Sequence, residues 1–155
     1  MSSAKAKRPS WPWRLALAAT LWFAAVAAPA QILDRVDVNV VGDDALLRIE
    51  FNVLVQYLRN VPASHGTAVR VYFQITGAND QGLGVVEEER RAQPDKLLPQ
   101  FRVTYPAQLP SIQRYIDVVF DAAVDFRVQP EGNNRILVYV RLSPEQLEKL
   151  SLIHI

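Results

Sequence analysis

Cysteine is absent from the whole sequence, which excludes disulfide bonds, a cysteine nucleophile and lipid attachment through an N-terminal cysteine. Histidine occurs only as His65 and His154, and a zinc site needs three or four His, Cys or carboxylate ligands at close spacing. The glycine-rich stretch 77–84 lacks the lysine and the following helix of a phosphate-binding loop. The sequence therefore predicts no metal or cofactor site and no catalytic site built on cysteine or histidine, and we interpret His65 as a loop residue.

Paired carboxylates are the remaining catalytic candidates. Asp43 and Asp44 lie in a predicted tight turn, and Asp117, Asp121 and Asp125 lie on or beside a predicted strand. A glycosidase needs two carboxylates in a cleft, with one of them desolvated. The contexts of these aspartates indicate a solvated polar face instead. A hydrolase that uses them is the least favoured of the functions considered.

The N-terminus has the three parts of a secretory signal. A basic region (Lys5, Lys7, Arg8 and Arg14) precedes the apolar residues 15–28, and Ala28-Pro29-Ala30 supplies small residues at the positions that a signal peptidase reads. The alternative is a membrane anchor, but 14 apolar residues fall short of the ~20 that span a bilayer. We expect residues 1–30 to be a signal peptide, cleaved before Gln31, and the mature chain to be periplasmic or secreted, with no membrane span.

Outside the predicted signal peptide the chain is acidic. The sequence has 17 Lys and Arg residues and 16 Asp and Glu residues. Four of the basic residues and none of the acidic ones precede residue 31, which leaves 13 basic and 16 acidic side chains, a net charge of −3. Nucleic-acid binding needs a basic patch, so no nucleic-acid partner is predicted. The remaining length corresponds to one domain with its own core.

The stretch 45–58 (ALLRIEFNVLVQYL) is the clearest strand pattern in the chain. Apolar residues recur at every second position, so they share one face of a strand, and most residues between them are polar. The apolar set is Leu47, Ile49, Phe51, Val53, Val55 and Tyr57. A strand of this length is unusual, so a bend or bulge is expected within it.

Similar alternation predicts further strands along the chain. These strands cover residues 33–41, 67–76, 101–105, 116–120, 124–128 and 136–142. Turns are predicted at 42–44 and 130–134 because they are rich in Gly, Asn, Asp and Pro. The charged run 87–91 is interpreted as a solvated edge strand or a short helix. Seven or eight short strands with turns between them predict an all-β domain over residues 31–142, an antiparallel β-sandwich or open barrel.

A helix is predicted to begin at the end of this domain. Ser143 is a favourable N-cap, Pro144 suits the first helical position, and Gln146 completes a capping box. The last five residues, SLIHI, resemble a translated sequencing-adapter read. We therefore expect residues 143–155 to be the start of a truncated C-terminal helix in a longer protein; the alternative is a short natural apolar tail.

Two surface features are candidates for binding. Leu46, Leu54 and Leu58 interrupt the polar side of the long strand pattern. Leu54 and Leu58 would form an exposed apolar patch with Tyr72 from a paired strand. Alternatively, these side chains lie beneath the 77–99 segment or a missing C-terminal part. The second feature is Arg59 with Arg90-Arg91, which could offer cations to an acidic polymer. The adjacent Glu87-Glu88-Glu89 run opposes this interpretation.

Three stretches resemble the AMIN-type module of exported bacterial cell-envelope proteins. They are DDALLRIEFNV (43–53), AVRVYFQIT (68–76) and DVVFDAAVDFRVQPEGNNRILVYVRL (117–142). The resemblance implies a β-sandwich that localises proteins by binding a cell-wall polymer or an envelope protein, without catalysis. The predicted function is therefore a targeting or assembly module. The alternative is a carbohydrate-binding accessory domain of a truncated cell-wall enzyme, which the lack of tryptophan after residue 30 opposes.

Overall fold

Antiparallel strands make up most of the chain in the computed structural model, which describes residues 31–77, 86–91, 100–107 and 113–153. The predicted signal peptide (1–30) and nearly all of the predicted loop 77–84 lie outside these ranges. Within these ranges there are eight strands and one short helix, and the sheet is open rather than closed into a barrel. The prediction of an all-β fold is confirmed.

The strands follow one another closely along the chain. They are β1 (Leu33–Val41), β2 (Asp44–Phe51), β3 (Leu54–Val61), β4 (His65–Thr76), β5 (Glu88–Arg91), β6 (Phe101–Tyr105), β7 (Arg114–Glu131) and β8 (Arg135–Arg141), followed by the helix α1 (Pro144–Ile153). The spatial order is β1-β2-β8-β7-β4-β3, with β6 beside β7 and β5 beside β6. All pairings are antiparallel.

These strands form two layers that share β7. The first layer contains β1, β2, β8 and the second half of β7; the second layer contains β3, β4, the first half of β7, β6 and β5. The layers enclose a common apolar core, in which the ring of Phe51 from the first layer lies 5.0 Å from that of Phe73 in the second. The arrangement is therefore sandwich-like.

The predicted long strand 45–58 is two strands, one in each layer. Asn52 and Val53 separate β2 from β3, and the corner is held by main-chain bonds from Phe51 N–H to Asn134 O (2.9 Å) and from Val55 N–H to Asn133 O (2.6 Å). The alternation nevertheless continues through the corner. All six apolar side chains of the pattern are buried or half-buried, and the expected bend is present.

β7 is a single strand of 18 residues where two short strands and a turn at Pro130 are predicted. The predicted irregular connection appears as a shift in its pairing with β4, where Gly66 lies opposite Val124 and Ala68 opposite Val119. Extra residues in one strand of a pair bend it locally. This bend carries β7 from the second layer into the first.

The charged run 87–91 is an edge strand, β5, but it is not solvated throughout. Glu88 is only 6% exposed. Its two carboxylate oxygens accept hydrogen bonds from Ile32 N–H (2.6 Å) and Leu33 N–H (2.8 Å) at the start of β1. Arg90 donates from Nη2 to Leu33 O over 2.9 Å. Side chains of β5 therefore join the edges of the two layers at the beginning of β1.

The predicted capping box is confirmed at the start of α1. Ser143 N–H donates to Gln146 Oε1 (2.9 Å), and Gln146 N–H donates to Ser143 Oγ (3.2 Å). Leu147 and Leu150 pack against the core from the same helix. The helix continues to Ile153.

Replacing Ser143 with alanine is expected to destabilise α1 by about 1 kcal/mol, because it removes one acceptor for an otherwise unpaired helix N–H. Hydrogen exchange of the amides in the first turn measures this loss directly. Ser151→Ala, an exposed serine near the other end of the helix, is the matched control and is expected to change exchange little. Equal effects of the two substitutions would contradict the capping role.

Candidate binding surface

The outer face of the first layer carries many charges, and its arginines are paired. Each lies 2.9–3.6 Å from a carboxylate oxygen. These arginines are Arg35, Arg48, Arg127, Arg135 and Arg141, and the acceptors on this face are Asp37, Asp44, Glu50 and Glu131. A network of this kind neutralises itself, so it leaves little net charge for an outside partner.

The outer face of the second layer carries tyrosines and arginines in register. Arg59 of β3 lies opposite Tyr72 of β4, which lies opposite Tyr115 of β7. The Arg59 guanidinium is 4.3 Å from the centre of the Tyr72 ring, and the Arg70 guanidinium is 4.0 Å from that of Tyr115. The two rings are 5.9 Å apart. We call these four residues the tyrosine–arginine row.

Arg70 is fixed in place by a carboxylate. Its Nε and Nη2 donate to the two oxygens of Asp117 over 2.7 and 2.9 Å. The hydrogen bond with Asp117 raises the pKa of Arg70 further above its ordinary value. A bidentate pair of this geometry is the strongest form of arginine–carboxylate contact, so Arg70 positions the row rather than offering a free cation.

Arg59 differs from Arg70 within the part of the chain that the structure describes. No carboxylate oxygen of the described residues lies within 4.0 Å of its guanidinium, and its contact is with the face of Tyr72. A cation over an aromatic face keeps its charge and most of its hydrogen-bond donors. With respect to the described residues, Arg59 is therefore a positioned but uncompensated cation on the outer face of the second layer.

The predicted patch of Leu54, Leu58 and Tyr72 lies on the paired strands β3 and β4, but Tyr72 is opposite neither leucine. Leu54 pairs with Thr76, and Leu58 is the extra residue of a bulge before Arg59. The two leucines are 49% and 37% exposed, whereas Tyr72 is half-buried. The register thus places Arg59, rather than a leucine, beside Tyr72.

The predicted grouping of Arg59 with Arg90 and Arg91 is wrong. β5, which carries Arg90 and Arg91, is at the opposite edge of the second layer from β3. Arg90 donates to Leu33 O and Arg91 to Glu89 Oε1. Within the charged run the carboxylate of Glu89 therefore neutralises Arg91, while Arg90 is held by a backbone carbonyl, and Arg59 lies outside these interactions.

Sequence reasoning missed the contribution of Tyr115 and Arg70 to this surface. The available signal was an outward-facing pattern, Arg-x-Tyr in β4 (Arg70, Tyr72) and Tyr-x-Asp in β7 (Tyr115, Asp117). Two strands with complementary outward pairs can stack them across the sheet. Joining the patterns requires the register of β4 against β7, which no local signal supplies.

His65 lies at the first position of β4 rather than in a loop. Its Nδ1 is 2.7 Å from Asp125 Oδ1, and both side chains are exposed. No hydroxyl of the described residues hydrogen-bonds to the ring. The described ranges contain no group of three or more His, Cys, Asp or Glu side chains placed to hold a metal ion. They also contain no helix long and apolar enough to cross a bilayer.

No family model, no curated protein and no solved structure matches the chain. The AMIN-type resemblance stays a prediction.

Proposed function

We propose that this chain is a non-catalytic, exported module that targets or assembles a larger cell-envelope protein. In this proposal residues 1–30 direct export to the periplasm or beyond, and the mature domain binds a cell-wall polymer or an envelope protein. The observation that carries the proposal is Arg59, a cation held on the face of Tyr72 and left uncompensated by the part of the chain that the structure describes. Flat sheet faces suit extended partners, whereas small-molecule sites are concave.

The chemistry of the row favours an anionic group on the partner. A guanidinium presents parallel N–H donors that match a carboxylate or a phosphate. Tyr72 holds Arg59 in one orientation before binding, so less conformational entropy is lost when the anion arrives. Arg70, already bound to Asp117, keeps the neighbouring Tyr115 in place. A polymer with repeated acidic groups is therefore the partner that this surface fits best.

One observation supports the alternative function, a carbohydrate-binding accessory domain. Tyr72 is not a lone aromatic residue, because Tyr115 lies beside it with ring centres 5.9 Å apart. Paired aromatic rings can provide a surface for sugar rings. Each of these rings, however, already has a guanidinium over one face, which leaves less of the ring open to stack on a neutral sugar.

The test is cosedimentation of the exported full chain with purified cell-wall polymer. Arg59→Ala is expected to weaken binding about 10–100-fold, because a hydrogen bond to a charged group contributes ~1.5–3 kcal/mol. Binding of the unchanged protein is expected to fall as salt is added. Tyr72→Phe keeps the ring and is expected to retain binding.

Arg127→Ala is the matched control. Arg127 also lies over a tyrosine, 4.2 Å from the centre of the Tyr139 ring, but it is on the first layer and close to Asp44. Equal losses for Arg59→Ala and Arg127→Ala would contradict the proposal, as would full binding by Arg59→Ala. Salt-independent binding of a neutral glycan that Tyr72→Ala abolishes would establish the accessory-domain alternative instead.

A further inference from the structure

The first layer ends at β1, and most of the outer side of β1 has no strand partner among the described residues. β5 reaches only its beginning, through the hydrogen bonds of Glu88 and Arg90. From Arg35 to Val41 the strand is paired with β2 in an uninterrupted register. A regular free edge presents a row of unpaired N–H and C=O groups that can accept another strand.

The other edges of the two layers each carry a feature that discourages pairing. β3 is interrupted by a bulge after Tyr57, and bulges turn an edge away from incoming strands. β5 is joined to the start of β1 through Glu88. The second half of β7 contains Pro130, which lacks an N–H group. Residues 36–41 of β1 contain no bulge and no proline.

The turn between β1 and β2 fixes which groups face the free side. Gly42 (φ 62°) and Asp43 form a two-residue turn that leaves Val41 opposite Asp44, the pair that such a turn joins by a hydrogen bond. Hydrogen bonding alternates along an antiparallel strand. The free side of β1, away from β2, is therefore lined by the main-chain N–H and C=O groups of Val36, Val38 and Val40.

The side chains of these three valines point toward the core but are not fully covered. Val36 and Val38 are half-buried against the core, and Val40 is 43% exposed. A strand added beside β1 would cover them with its own apolar side chains. The apolar core would then continue across the new pairing, which adds burial to the backbone hydrogen bonds.

We infer that this edge pairs antiparallel with β1 of a second copy, giving a two-fold dimer in which the first layers join into one continuous sheet. With Val38 on the two-fold axis, Val36 lies opposite Val40 of the partner subunit. Asp37 then lies opposite Asn39 of the partner subunit. No charge opposes a like charge in this register, and the same patch serves both copies, as a two-fold interface requires.

The neighbouring register supports the choice of the Val38 axis. An axis at Asp37 would place two aspartates directly opposite each other, which is destabilising. Charges beside the edge are already compensated within each copy, because Arg35 contacts both Asp37 (2.9 Å) and Glu50 (3.0 Å). In this register β1 can therefore pair with β1 of a second copy without leaving an unpaired charge.

Substitutions at Asn39 test both the dimer and its register. Asn39 is exposed, so its replacement leaves the core of each copy intact. Asn39→Asp places a second carboxylate opposite Asp37 of the partner subunit and is expected to weaken association about tenfold. Asn39→Lys places a cation there and is expected to strengthen it by a similar factor. Both differences should shrink at high salt.

Sedimentation of the exported full chain over a range of concentrations measures these shifts. Gln56→Glu and Gln56→Lys are the matched controls, because Gln56 is an exposed residue of the bulged edge strand β3, and they are expected to change association little. A chain that is monomeric at every concentration would overturn the inference. So would a dimer that responds equally to the Asn39 and Gln56 variants.

A cross-link gives a second, independent readout. Since the chain contains no cysteine, an introduced thiol reports only its own contacts. Val38→Cys brings two thiols together at the axis, where Cα atoms about 5.5 Å apart suit a disulfide, and a covalent dimer is expected on oxidation. Val61→Cys, an exposed position on β3, is expected to stay monomeric. Equal cross-linking of the two variants would contradict the inference.

Discussion

Phe51→Ala is expected to lower the free energy of unfolding by about 3–5 kcal/mol, the usual cost of removing a buried aromatic side chain. Phe51 is 2% exposed and lies at the end of β2, where the chain passes from the first layer to the second. Its ring contacts that of Phe73 in the opposite layer. The substitution therefore leaves a cavity between the layers at the corner that joins them.

Asn52→Ala is the control for that experiment. Asn52 is exposed, and its side chain donates one long hydrogen bond to Gln31 O (3.3 Å), so a loss of no more than about 1 kcal/mol is expected. Urea denaturation of both variants gives the comparison. Equal losses would mean that neighbouring residues at this corner do not alternate between core and solvent.

Removal of the Glu88 carboxylate is the second large effect expected. Glu88→Ala leaves the N–H groups of Ile32 and Leu33 without their acceptor in a buried site. Each buried donor without a partner costs about 1–3 kcal/mol, so a total loss of about 2–6 kcal/mol is expected. Urea denaturation measures the total, and faster hydrogen exchange at Ile32 and Leu33 assigns the loss to this contact.

Two further variants make that experiment specific. Glu88→Gln keeps one acceptor oxygen but replaces the other with an NH2 group, which is a donor and faces a main-chain N–H donor. An intermediate loss of stability is therefore expected. Glu87→Ala removes the exposed neighbouring carboxylate and should change stability by less than about 0.5 kcal/mol. If Glu87→Ala and Glu88→Ala had the same effect, the buried contact would contribute nothing beyond surface charge.

Features that depend on local sequence were predictable. The limits of β1 and β6 match their alternating patterns residue for residue, because each pattern is bounded by glycine, proline or a change of period. The capping box at Ser143 and Gln146 was equally clear, since both partners lie within one turn of helix. In each case the signal and the structure span the same few residues.

Features that depend on distant pairing were not predictable. The side-chain alternation in β2 and β3 is continuous, yet the two strands belong to different layers because each pairs with a different distant strand. β7 is continuous because β4 and β6 pair with its first half, and β8 pairs with its second half. Glu88 looks solvated in a charged run, but its donors are 55 and 56 residues away.

The candidate binding surface likewise has one feature that local sequence predicts and others that depend on distant pairing. The outward direction of Tyr72 follows from the period of its own strand, and the structure bears it out. The positions of Arg59 over Tyr72 and of Tyr115 beside it depend on two strand registers. The charge run misdirected the grouping of arginines, because chain proximity says nothing about which edge of a sheet a residue occupies.

The shared strand β7 makes the two layers a single cooperative unit. Its backbone hydrogen bonds go to β4 and β6 in one half and to β8 in the other, so neither layer keeps all its pairings if the other melts. Partial unfolding of one layer would expose half of β7 and the core beneath it. A split of the gene at the bend of β7 would therefore yield two fragments that need each other to fold.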